Sequence, residues 1–74
     1  MTHKIFKVLD SFYIHLDEQN QLCTLADFLL DKGIPVYEVK YIPTAHQGVV
    51  VVRDSEENIL EELIKIFKYE KNEN

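Results

Sequence analysis

The chain has 74 residues and a formal net charge of −5, from 8 basic and 13 acidic side chains. Such a length is a single domain (read as 1–74, with a polar tail over 70–74), and so short a chain supports a core worth only a few kcal/mol. The negative balance argues against nucleic-acid binding and against anionic membranes, since both depend on clustered cations.

Hydrophobic residues make up 46% of the chain and charged residues 28%, the balance of a folded domain and not of a disordered one. No stretch approaches the ~20 apolar residues of a membrane span. Met1-Thr2-His3-Lys4 leads straight into amphipathic sequence, and one cysteine permits no internal disulfide. A cytoplasmic location is the expectation.

From His3 to Leu16 apolar residues alternate with polar ones: Phe6 and Val8 around Lys7, then Phe12, Ile14 and Leu16 around Tyr13 and His15. Asp10-Ser11 divides the two runs. It lacks the glycine of a tight hairpin. One long strand bent at Asp10-Ser11 is therefore favoured over a hairpin. Asp17-Glu18-Gln19-Asn20 is a polar loop with Asn20 placed to cap a helix. Leu22, Leu25, Ala26 and Leu29 follow the spacing of a helical apolar stripe, which Cys23 and Leu30 widen. Phe28 falls away from that stripe, where it is either exposed or a partner contact. Gly33 ends the helix in a left-handed conformation, and Pro35 forbids its continuation.

Val36 to Ile42 alternates again. Tyr37, Val39 and Tyr41 share the face better suited to burial; Val36, Glu38, Lys40 and Ile42 share the other. Pro43 to Gly48 is a loop. The four valines Val49 to Val52 predict a strand inside the sheet, covered on at least one face. Asp54 with Glu57 resembles a capping box. Ile59, Leu60, Leu63, Ile64, Ile66 and Phe67 give the second helix a broad apolar stripe, and Glu61 is spaced to pair with Lys65.

The order strand, helix, strand, strand, helix predicts an α+β fold: a two-layer ferredoxin-like sandwich, β-α-β-β-α. Both helices cover one face of a three- or four-stranded sheet. The helical connection makes the strands it joins parallel, and the short loop makes the later two antiparallel.

No catalytic, cofactor-binding or metal-binding set stands out. His15, His46 and Cys23 match no zinc spacing, and Cys23 reads as a small core residue. Thr44, His46, Gln47 and Gly48 form the most chemically mixed loop. They are the candidate ligand contacts, against the plainer reading of a connecting turn. Tyr13, His15, Val36, Glu38, Lys40 and Ile42 are the candidate interface, because a sheet covered on one side leaves the other to a second molecule.

The run Leu25-Ala26-Asp27-Phe28-Leu29-Leu30-Asp31-Lys32-Gly33-Ile34-Pro35-Val36 resembles the helix, Gly-Ile and strand segment of small bacterial putative signal-transducing proteins, relatives of the PII fold. Gly48 to Glu57 is similar to their valine-rich strand and acidic helix start. Both segments are also similar to ACT regulatory domains. The resemblance implies a ferredoxin-like fold and association through sheets. It carries over no ligand residues: Asp17-Glu18-Gln19-Asn20 stands where ACT domains have a glycine, and the long nucleotide loop of PII proteins has no counterpart. The expected function is a small regulatory or binding module. It acts through its open sheet face on a protein partner and associates with itself, without cofactor, nucleic acid or membrane. The alternative is a sensor of a small metabolite, held near Asp17 to Asn20 or in the Pro43 to Gly48 loop.

Overall fold

The computed structural model describes residues 3–72. In chain order the elements are β1 (His3–Val8), β2 (Ser11–Leu16), α1 (Leu22–Asp31), β3 (Val36–Ile42), β4 (Gln47–Arg53) and α2 (Glu57–Asn72). The strands form one antiparallel sheet in the order β1-β2-β4-β3. β2 and β3 both run antiparallel to β4, and so parallel to each other, with α1 connecting them. This is the two-layer α+β sandwich expected, with four strands. The valine strand does lie inside the sheet, and each of Val49 to Val52 is at most 3% exposed.

The N-terminal run is a hairpin, not one bent strand. β1 and β2 pair from His3 with Leu16 to Val8 with Ser11, so the turn is Leu9-Asp10. Leu9 adopts φ 56°. Two-residue hairpin loops need a positive φ at their first central residue, a place usually given to Gly or Asn. Leucine there conceals the turn. A left-handed leucine costs about 1–2 kcal/mol, and at 89% exposure packing offsets little of it. Leu9→Gly is expected to raise stability by roughly 0.5–1 kcal/mol, once the glycine's unfolded-state entropy is deducted. The measurement is the urea midpoint at constant m-value.

One core joins the layers. Phe12, Ile14 and Leu16 of β2 and Val50 and Val52 of β4 pack with Leu22, Leu25, Ala26 and Leu29 of α1 and with Leu60, Ile64 and Phe67 of α2. Both helices therefore cover the same face. Gly33 (φ 85°) closes α1. Its N–H donates to Leu30 and that of Ile34 to Leu29, at 3.0 and 2.9 Å, the paired bonds of a Schellman cap.

Several local expectations change. Asn20 does not cap α1: a 3-10 turn over Gln19–Gln21 runs straight into the helix, whose N-cap is Gln21. Asp54 does not cap α2, because at φ 55° it lacks the extended backbone of an N-cap, and the helix begins at Glu57. Cys23 is exposed rather than core, and Leu30 is 54% exposed. Phe28 is instead packed against the core, its ring 5.4 Å from that of Phe67. The cause is lateral. α2 lies along the flank of α1 that bears Phe28, and the flank with Cys23 and Leu30 is left to solvent. In α2 the stripe is narrower than expected, with Ile59 and Ile66 each 44% exposed. Glu61 meets His3 of β1 at 3.3 Å, while Lys65 pairs with Glu62. Of the expected polar tail, residues 70–72 continue α2, and 73–74 lie outside the described residues.

Candidate functional site

Strand alternation and register fix what lies on the side of the sheet opposite the helices. One cross-strand row reads Lys4, His15, Val49, Lys40; the next reads Phe6, Tyr13, Val51, Glu38. Val8, Ser11 and Arg53 follow at one end, with Gln47 and Ile42 at the other. Val49 and Val51 are buried without belonging to the core cluster, since the side chains flanking them in these rows shield them. Phe6 is 50% and Val8 53% exposed at the edge strand.

Polar and aromatic contacts tie the face together. The rings of Phe6 and His15 meet edge to face at 5.1 Å. His15 Nδ1 and Gln47 Oε1 are 3.4 Å apart. Arg53 lays its guanidinium over the Tyr37 ring, 3.7 Å from the centroid, and its Nε donates to Ser11 Oγ at 3.3 Å. Stacking of this kind holds an arginine side chain in place while leaving it exposed.

Tyr13, His15, Glu38, Lys40 and Ile42 share this open face, but Val36 does not. A bulge between Val36 and Glu38 sets two steps of β3 against one of β4, since Val36 pairs with Val52 and Glu38 with Val51. The extra residue, Tyr37, breaks the alternation. Val36 thereby turns onto the core, and Tyr37, expected on the buried face, is 61% exposed beside Arg53. Val39 stays on the helix side yet is 38% exposed, because β3 is an edge strand only partly covered by α1. Phe6, Val8, Tyr37 and Arg53 were missed as members of the face. The register of an unrecognised hairpin hid the first two, and the bulge hid Tyr37.

The candidate ligand loop does not gather into one place. Pro43–Ala45 is a short 3-10 turn, and His46 follows it at φ 52°. Thr44 and His46 are exposed, while Gly48 is buried within β4 beneath Leu22. The absent Cβ of Gly48 thus admits the first residue of α1. A shallow cleft of about 150 Å³ is lined by His3, Lys4, His15, Leu16, Asp17 and Gln47. It brings together Asp17 and Gln47, one from each expected ligand segment, but metabolite pockets usually run to ~300 Å³ or more. Among the described residues no group of three His, Cys, Asp or Glu side chains is placed to hold a metal ion. No helix among them is long and apolar enough to cross a membrane.

No family model matches the chain, and no curated protein or solved structure matches it either. The likeness to PII-like and ACT domains is therefore one of fold: a small ferredoxin-like α+β arrangement, consistent with that superfamily in general.

Proposed function

We propose that this chain is a binding module, not an enzyme, and that it acts by presenting its open sheet face to another polypeptide. The observation that carries the reading is the apolar and aromatic centre of that face. Phe6 and Tyr13 lie side by side in one row, with Val8 and Tyr37 exposed near it, and no element among the described residues covers them. Burying such a surface supplies the favourable term of association, and rigid aromatic side chains lose little entropy on contact. A regulatory role and a cytoplasmic setting belong to the same proposal. Support for the metabolite-sensor alternative is weaker, because Asp17 and Gln47 of the two expected ligand segments meet at a shallow cleft of about 150 Å³, below the ~300 Å³ usual for ligand pockets.

The test is affinity capture from the native host with quantitative mass spectrometry, using the wild-type chain, Phe6→Ala/Tyr13→Ala, and Ile59→Ala/Ile66→Ala on the opposite side. Proteins retained by the wild type should fall by about tenfold with the first pair, the effect of losing an aromatic anchor, and persist with the second. Retention insensitive to Phe6 and Tyr13 would dispose of the sheet face as the binding surface. Sedimentation velocity over a range of concentrations reports whether the partner is a second copy.

A further inference from the structure

The open face has the opposite charge character to the rest of the chain. It carries Lys4, Lys40 and Arg53 against Glu38, with Asp17 at its rim beside Lys4, in a protein whose net charge is −5. The acidic excess lies elsewhere, on the helices and loops, in residues such as Asp27, Asp31, Glu57 and Glu62. The ion pairs His3–Glu61 and Lys65–Glu62 are on the helical side and engage none of these three cations. Arg53 is already ordered by Tyr37 and Ser11, which lowers the entropy lost when it meets a carboxylate.

We propose that the face receives an acidic segment of a different protein, its apolar side chains seated along Phe6, Val8 and Tyr13 and its carboxylates reaching Lys4, Lys40 and Arg53. This rests on the reading of the open face as a binding surface and adds the chemistry of the partner. A short acidic segment feels mainly the cations within a Debye length, about 8–10 Å. A long nucleic acid also feels the acidic bulk of the chain, which repels it. A second copy docked face to face sets one face with a cationic excess against another. Docked face to helices it meets opposite charge, but a head-to-tail contact of that kind does not close and grows into a chain of copies.

Random short peptides displayed on phage are selected on the immobilised full-length protein at low salt. Enriched peptides are then titrated by fluorescence anisotropy against the wild type, Lys4→Glu/Lys40→Glu, and Lys32→Glu/Lys65→Glu as a helix-side control, with circular dichroism confirming each fold. The expected peptides combine Asp or Glu with aromatic or aliphatic residues. They should lose about tenfold or more in affinity on the sheet-face reversal, and little on the control. Neutral or basic peptides, no enrichment, or equal binding to the reversed variant would overturn the proposal. If Phe6→Ala/Tyr13→Ala abolishes binding while charge reversal does not, the acidic partner falls and the binding face stands. Indifference to both pairs removes the face as well. Tighter binding of oligothymidylate, or copies that sediment as growing assemblies, would reassign the face and also overturn the inference.

Discussion

Gly48→Ala is expected to destabilise the protein by about 3 kcal/mol, near the upper end of overpacking costs. Alanine is otherwise the better strand residue, since glycine loses more backbone entropy on folding. The sign is therefore decided by contact. A Cβ built on Gly48 collides with the side chain of Leu22, itself only 4% exposed and enclosed by the core. Domains of this size hold roughly 3–5 kcal/mol in all, so Gly48→Ala should be marginal and Gly48→Val unfolded at room temperature. Pairing the change with Leu22→Ala makes the contact testable, because the new methyl fills part of the space that leucine leaves. The double variant should lie more than about 1 kcal/mol above the sum of the single effects. Strict additivity in urea denaturation would mean that something other than this contact excludes a side chain at Gly48.

Ile14→Ala and Tyr13→Ala, one residue apart, should behave in opposite ways. Ile14 is fully buried at the centre of the helix-facing row Ile5, Ile14, Val50, Val39. Truncating it removes apolar contacts and opens a cavity between layers that cannot fully collapse, a loss of about 2–5 kcal/mol. That is comparable with the whole stability of the domain, so Ile14→Ala should lose cooperative thermal unfolding or shift its midpoint far down. Tyr13 lies on the open side and is only partly buried. Its removal should leave a folded protein that binds partners poorly. A Tyr13→Ala variant as unstable as Ile14→Ala would show that the open face is part of the folding core, and the binding-module reading would lose its basis.

The two faces were legible in the sequence wherever period two ran unbroken. Tyr13 and His15 against Phe12, Ile14 and Leu16 is such a case, and the structure keeps every one of those assignments. Val36 and Tyr37 were misassigned because a bulge inserts a step that alternation cannot register. The charge asymmetry of the site was equally hidden. Lys4, Lys40 and Arg53 are far apart in the chain and come to share one face only through the pairings of β1 with β2, β2 with β4, and β4 with β3. Helix flanks show the same limit. The apolar stripe of α1 was readable, but the direction of Phe28 and Cys23 depended on where α2 lies.

By itself the sequence determined the type and order of the elements from α1 onward, the glycine stop at Gly33, and a valine strand that had to sit inside the sheet. These follow from local periodicity and backbone stereochemistry, which each segment carries within itself. Tertiary structure alone decided the hairpin at Leu9-Asp10, the turn of Val36 onto the core, the burial of Gly48 under Leu22, and the gathering of cations on one face. Those outcomes depend on register between strands distant in the chain. A shift of one residue in that register moves every side chain to the other side.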